Sequence, residues 1–207
     1  LKAFAEVPLG GYKHRMNQTS SAMGRVQLRH YDARSAEIRR ALNHFWDLLK
    51  GVPGIRAHRV DEKTGSNMGG WYAPRGLYRR EELGGLSVSR FCEAVRAEGV
   101  SVVHPGCNKP LNTHAAFNEA DIYGHGKPTR LVNADRDLRQ PAGSLPVAER
   151  ICRETYIIPW FKHYRPETIA EYAEAFRKVA LNAADLLPGD PGDAPDVGGW
   201  SLFRAAK

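Results

Sequence analysis

Apolar residues recur at a helical spacing over two long stretches of the chain. A period close to 3.6 over residues 17–50 predicts an amphipathic helix, which should end where Gly51 supplies a C-terminal cap and Pro53 prevents continuation. The apolar positions of this stretch are Ala22, Met23, Val26, Tyr31, Ile38, Leu42, Phe45, Trp46 and Leu49. A second amphipathic pattern over residues 166–187 predicts a closing helix.

Shorter patterns lie between these two helices. They predict strands at 55–60, 71–78, 100–103 and 156–158, and helices at 87–98 and 145–153. The resulting order of elements is typical of a small α/β layer attached to a long connecting helix. The segment that follows residue 187 is rich in Pro, Gly and Asp, which predicts a disordered tail.

Composition narrows the class of protein. The 207 residues are 42% hydrophobic and 26% charged, which suits one large globular domain. The three cysteines, Cys92, Cys107 and Cys152, form no C-x-x-C pair, so the pattern indicates neither a disulfide framework nor a zinc site. We therefore expect a reduced, cytoplasmic setting. No apolar run approaches the roughly 18 residues of a membrane helix, and the chain begins with Leu1, which suggests that the true start lies upstream.

The net charge of +7 raises the question of an anionic partner. The basic residues are interspersed with acidic ones and form no run of five to eight Lys or Arg residues. This pattern argues against a nucleic-acid partner. An anionic small substrate accounts for the same charge.

Five stretches, in this order and at these separations, resemble the C-terminal region of the DegT/StrS-type sugar aminotransferases. They are residues 11–16, 71–74, 91–104, 109–112 and 145–149. The first is similar to the family pattern G-x-N-x-R-M that precedes a long helix. The fourth is similar to a P-L-H loop, and the fifth to an L-P-x-x-E segment. Together they cover the chain from about residue 10 to residue 187.

The resemblance implies an α/β fold, the C-terminal small domain of a fold-type I PLP-dependent transferase. Residues 1–16 would be the end of a truncated large domain, 17–50 the connecting helix, 51–187 the small domain and 188–207 the disordered tail. It also implies pyridoxal 5′-phosphate as cofactor, a homodimer, and transfer of an amino group from an amino-acid donor to a keto-sugar or keto-cyclitol. The segment with the cofactor-binding lysine would be missing, so we assign no catalytic residue and expect the chain to be inactive alone.

The resemblance also implies site residues. Lys13 and Arg15 match positions that lie near the cofactor phosphate, although the family usually has Asn where this chain has Lys13. His104 matches a position near the sugar. Asn112 replaces the histidine of the P-L-H loop, and His114 follows two residues later, so all three are expected to bind substrate.

Three other interpretations remain open at this level. The polar loop at 118–130 could face the substrate or an interface. A metal hydrolase could use His104, His114, His125 and His163, but their spacing matches neither the H-x-x-E-H nor the H-E-x-x-H element, and we predict no metal. A truncated homologue could also act as a non-catalytic binding or scaffold module.

Overall fold

The computed structural model describes residues 16–106 and 109–194. Its helices are α1 (Gln18–Leu48), α2 (Val88–Ala97), α3 (Ala115–Asn118), α4 (Pro146–Arg150), α5 (Pro166–Leu181) and α6 (Ala183–Leu186). Its strands are β1 (Ile55–Ala57), β2 (Arg75–Tyr78), β3 (His104–Pro105) and β4 (Thr155–Ile157). Short 3₁₀ turns occupy Glu62–Thr64, Arg80–Leu83, Leu111–Thr113, Thr129–Leu131 and Ile151–Arg153.

The long helix expected from the sequence is present as α1. It begins after Asn17, whose side chain accepts a hydrogen bond of 2.7 Å from the backbone N–H of Ser20, as a good N-cap residue does. Its C-terminal turns are buried, whereas its first half is largely exposed to solvent. Although α1 has 31 residues, neither it nor any other described helix is long and apolar enough to cross a membrane.

The four strands form one antiparallel sheet in the order β1-β2-β4-β3. The register places Gly76 of β2 opposite Tyr156 of β4, and His104 of β3 opposite Ile157 of β4. The edge strand β3 therefore carries one of the residues that the sequence singled out for substrate binding.

Aromatic side chains form the centre of the core. The ring of Phe176, on α5, lies with its centroid 5.4 Å from Phe45 of α1, 6.1 Å from Phe91 of α2 and 5.8 Å from Tyr156 of β4. All four residues are completely buried. These contacts join three helices to the sheet, so the core is one continuous cluster.

Two predicted strands differ in the structure. Residues 100–103 form a turn, because the backbone N–H groups of Val100 and Val103 bond back to Val95 and Val100 and close the end of α2. The strand predicted at 71–78 begins only at Arg75. Trp71 and Ala73 have left-handed φ angles of 53° and 47°, which no β-strand accommodates.

The described part of the predicted disordered tail lies against α2. Asp190 accepts hydrogen bonds from the Ser87 N–H at 2.7 Å and from the Ser87 hydroxyl at 2.6 Å. Asp193 accepts hydrogen bonds from the Ser89 N–H at 3.0 Å and from the Ser89 hydroxyl at 2.8 Å. The N-terminus of a helix attracts anions, so two successive Pro-Gly-Asp triplets supply one carboxylate to each serine. Residues 188–194 therefore have defined contacts with α2, and residues 195–207 of the predicted tail lie outside the described residues.

We expect Asp190→Ala to lower the free energy of unfolding by about 1 kcal/mol, because it removes the acceptor for two hydrogen bonds at a partly exposed helix end. Burial acts to raise the pKa of Asp190, but its bonds to Ser87 and Gly192 hold that pKa below the ordinary 3.8. The contribution of the Asp190 carboxylate to the free energy of unfolding should therefore be complete above about pH 4. It should disappear as the pH falls through the lowered pKa of this group. Urea titrations of both proteins at pH 7 and over a falling series of acidic pH values measure this.

The matched control is Glu171→Ala, on the exposed face of α5, where the described residues offer the carboxylate no hydrogen bond or ion pair. This control should leave stability within a few tenths of a kcal/mol of the parent. Equal stability of Asp190→Ala and Glu171→Ala at pH 7 would show that the tail contributes nothing to α2.

Candidate substrate site

Two loops are held together beside the edge of the sheet. The loop that follows β3 is fixed to the sheet, because the Gly106 N–H donates to the Thr155 carbonyl at 2.7 Å and Arg75 donates to the Gly106 carbonyl at 2.6 Å. Glu149 of α4 joins this loop to the loop that precedes α4, because its carboxylate accepts hydrogen bonds from the Asn112 amide at 2.8 Å and from the Gly143 N–H at 2.7 Å. Both loops therefore have defined positions relative to β3.

Glu149 organises this junction. Its carboxylate accepts hydrogen bonds from the Gly143 N–H at 2.7 Å, the Asn112 amide at 2.8 Å and the Leu145 N–H at 3.1 Å. These bonds, with that from Gly143 the largest contribution, hold the pKa of Glu149 below its ordinary value. The carboxylate is therefore ionised at neutral pH and its acceptor positions are occupied by the protein itself.

A cavity of about 510 Å³ opens between the two loops. Three basic side chains line it, from Lys109, Arg150 and Arg153, together with Glu149. Arg150 is paired with Glu154 at 2.8 Å, whereas no described acid pairs with Lys109 or Arg153. The cavity therefore carries a net positive charge, which suits an anionic group on a small ligand.

The described residues alone do not fit pyridoxal phosphate. The cations of the cavity suit a phosphate, but no aromatic side chain among the described residues lines it to pack against a pyridine ring. The two residues that the resemblance assigned to the cofactor phosphate, Lys13 and Arg15, lie outside the described residues. Their role stays a prediction.

His104 lies half-buried on β3. Burial is the main cause that lowers the pKa of its imidazole below the ordinary 6.5, and the positive charge of Arg96 lowers it further. The ring is therefore neutral at pH 7 and has one N–H donor and one nitrogen acceptor. A neutral imidazole is well suited to hydrogen-bond the hydroxyl groups of a sugar or cyclitol.

The structure places the other two predicted substrate residues on the neighbouring loop. Asn112 is 4% exposed, and its amide is engaged with Glu149. The ring of His114 is half-buried, with Nε2 3.2 Å from the carbonyl oxygen of Lys109. Among the described residues no hydrogen bond joins His104 to Asn112 or His114. Their substrate contacts therefore remain predictions, and the contact that the structure does show for Asn112 is with Glu149.

The histidines do not assemble a metal centre in the part of the chain that the structure describes, where no group of three or more His, Cys, Asp or Glu residues could hold a metal ion. His125 lies instead in the exposed loop at 118–130, where Asp121 accepts hydrogen bonds from the N–H groups of His125 and Gly126 at 2.9 and 2.7 Å. His163 lies 3.5 Å from Glu37 of α1. The metal-hydrolase interpretation thus has no support in the described residues.

Sequence reasoning did not single out Glu149, Arg150 or Arg153 as functional residues. The signal that could have identified Glu149 was its place in the L-P-x-x-E segment, where an acid follows Pro146, the first residue of α4, by three positions. The two arginines carried no such signal. They line the cavity only because α4 and the 3₁₀ turn after it pack beside Lys109 and Thr113.

Comparisons with known proteins agree with this architecture. The family model of the DegT/DnrJ/EryC1/StrS aminotransferases matches residues 2–140. A crystal structure of DesI, in the presence of its TDP-sugar product, matches with a TM-score of 0.59 and 19% sequence identity. That match covers 87% of this chain but 40% of the DesI chain. The predicted α/β fold is confirmed. No curated protein matches the sequence.

Proposed function

We propose that this chain, which belongs to the DegT/DnrJ/EryC1/StrS aminotransferase family, is the C-terminal part of an enzyme that transfers an amino group from an amino acid to a keto-sugar or keto-cyclitol. The observation that supports this most directly is the family match over residues 2–140. The fold agrees with it, since the long α1 and the small sheet match part of DesI. Pyridoxal 5′-phosphate is the proposed cofactor, which supplies the amino-carrying chemistry when bound.

The exposed first half of α1 supports a role as connecting helix. Its apolar side chains Met23, Val26 and Tyr31 are 62%, 50% and 56% exposed. A stripe of such residues on one helix normally packs against another body. We assign that body to the large domain of the same enzyme, with a second subunit completing a homodimer. Lys13 and Arg15, just before α1, would then contact the cofactor phosphate across the two-fold interface.

The proposed substrate contacts come from β3 and the adjoining loops. The neutral imidazole of His104 would hydrogen-bond a substrate hydroxyl, and His114 a second one. Asn112 would take part through the loop that it holds to Glu149. The basic cavity beside them favours a substrate that carries a phosphate, because Lys109 and Arg153 have no acidic partner among the described residues.

An amino-transfer assay with the complete protein tests this function. We expect His104→Gln to lower kcat/KM for the keto substrate roughly tenfold, because one substrate hydrogen bond is lost, while the reaction with the amino donor is unchanged. The parent enzyme should lose activity only as the pH falls below about 6.5 and His104 becomes protonated, and the variant should lack this step.

His58→Gln is the matched control, because His58 is exposed and lies directly after β1. It should behave as the parent enzyme. Absence of any amino transfer by the complete protein, with a panel of keto-sugars and keto-cyclitols, would favour a non-catalytic binding module. Equal kcat/KM for the His104→Gln and His58→Gln enzymes would remove His104 from the site.

A further inference from the structure

The two carbonyl groups that flank strand β3 are each held by an arginine. On one side, Arg96 of α2 donates a hydrogen bond of 2.7 Å to the carbonyl of Val103. On the other side, Arg75 of β2 donates a hydrogen bond of 2.6 Å to the carbonyl of Gly106. A hydrogen bond from a charged donor is roughly twice as strong as one between neutral groups, so both ends of β3 are firmly positioned.

Strand β3 has few backbone hydrogen bonds of its own. It consists of His104 and Pro105, and proline has no N–H to donate. It pairs on one side only, with β4. In the turn that leads into it, the Val103 N–H lies 3.4 Å from the Val100 carbonyl, which is long for a hydrogen bond. Arg96 therefore supplies the short, charge-assisted contact at the residue before His104.

Arg96 also keeps its charge unneutralised beside β3. Glu93 of the same helix pairs with Arg90 at 2.8 Å, and Glu98, at the C-terminal end of α2, pairs with Lys178 at 2.7 Å. Within residues 16–106 and 109–194, no acid forms an ion pair with Arg96. Its positive charge therefore acts on the nearby imidazole, where it adds to the larger effect of burial in lowering the pKa of His104.

The other groups around β3 do not offset this charge. Strand β4 carries no charged side chain, and Glu154, which precedes it, pairs with Arg150 at 2.8 Å. The Tyr156 hydroxyl and the Cys92 thiol are buried, and burial raises the pKa of both, so each is neutral at pH 7. On the far side of the strand, the arginine of β2 adds a second cation.

We propose that Arg96 is a positioning residue for His104 in the proposed amino transfer. Its hydrogen bond fixes the backbone that enters β3 and so aims the imidazole, and its charge favours the neutral ring, which offers a substrate hydroxyl one donor and one acceptor. The inference rests on the proposed role of His104 at the keto substrate. Arg96 itself touches no reacting atom and acts through the histidine.

Nuclear magnetic resonance of the complete protein, labelled at its histidines, tests the inference without any assay of activity. The His104 signal is identified by its loss in His104→Gln. Arg96→Met keeps an apolar side chain but removes the charge and the donor, so the pKa of His104 should rise towards 6.5. Arg96→Lys retains a charge and a donor and should return the pKa of His104 towards its parental value.

The kinetics of amino transfer connect the position of the ring with the reaction. At pH 8 the neutral ring predominates in all variants, and Arg96→Met should lower kcat/KM for the keto substrate roughly threefold because the ring is less well aimed. The acid limb of its pH profile should move to higher pH together with the His104 titration, and Arg96→Lys should reverse both effects. A residue that only stabilises the fold would lower the free energy of unfolding and leave the acid limb at the parental pH.

Arg80→Met is the matched control, because Arg80 also donates a hydrogen bond of 2.7 Å to a backbone carbonyl, that of Gly85. It should leave both the His104 titration and kcat/KM unchanged. An unchanged His104 titration in a folded Arg96→Met protein would overturn the inference, and so would an equal shift in Arg80→Met.

Two further outcomes are distinguishable. If Arg96→Met does not fold, Arg96→Gln keeps a hydrogen-bond donor and removes only the charge, and it should still raise the pKa of His104. If the complete protein transfers no amino group while the His104 titration shifts as expected, the proposed reaction fails and the action of Arg96 on His104 stands. Normal amino transfer with no shift removes Arg96 and leaves the proposed reaction intact.

Discussion

Phe176→Ala is expected to lower the free energy of unfolding by about 3–5 kcal/mol, the range for truncation of a buried phenylalanine. The side chain is completely buried, and its ring contacts the rings of Phe45, Phe91 and Tyr156. Truncation would leave a void where α1, α2, α5 and β4 meet. None of these neighbours can fill it without losing contacts of its own. Urea denaturation followed by circular dichroism measures the loss.

Leu181→Ala is the control, since Leu181 is on the same helix but 63% exposed. Leu181→Ala should lower the free energy of unfolding by less than about 1 kcal/mol. If the two alanine variants unfolded at the same urea concentration, the aromatic cluster would not be the main core of this domain.

Gly76→Ala is expected to lower the free energy of unfolding by about 3 kcal/mol. A Cβ atom at Gly76 would lie 2.3 Å from Cζ of Tyr156 and 2.5 Å from its hydroxyl oxygen. Tyr156 is completely buried opposite Gly76 in the ladder, so its ring cannot move away without disturbing the core. Gly76→Val should prevent folding altogether at 37 °C, which thermal unfolding would show.

Gly70→Ala provides the comparison, because a Cβ atom at Gly70 would have no neighbour within 4 Å and its φ angle lies outside the left-handed region. Alanine at such a position should change the free energy of unfolding by no more than about 1 kcal/mol, in either direction. A Gly76→Ala protein as stable as the Gly70→Ala protein would mean that the Tyr156 ring does not lie over Gly76.

The helices were predicted more closely than the strands, for a physical reason. The predictions at 55–60 and 156–158 correspond to β1 and β4, whereas β2 is shorter than predicted and β3 begins after the strand predicted at 100–103. Periodic burial along α1, α2 and α5 is a local property that repeats over many residues, so composition and spacing reveal it. The strands have two to four residues, too few to establish a period of two. Strand β3 consists of His104 and Pro105, a pair with no β propensity, and it exists because β4 lies beside it.

The candidate site was predictable only in part, because its contacts join residues far apart in the chain. His104, Asn112 and His114 were proposed as substrate residues through a family resemblance, and their role stays a prediction. The bond between Asn112 and Glu149 joins residues 37 positions apart, and no local pattern indicates it. Arg150 and Arg153 line one cavity only because the chain folds the loop around Lys109 against α4.

The attachment of residues 188–194 to α2 has a consequence for the order of events during synthesis. Asp190 follows Ser87 by 103 residues, so at roughly 5–20 residues per second it leaves the ribosome about 5–20 s later. Until then the N–H groups of Ser87 and Ser89 lack the carboxylate acceptors that Asp190 and Asp193 provide. Nascent chains, and chains cut by a protease near Pro188, therefore both lack the tail carboxylates at the N-terminus of α2. An antibody or exchange probe directed at Ser87 and Ser89 would distinguish both of them from the finished molecule.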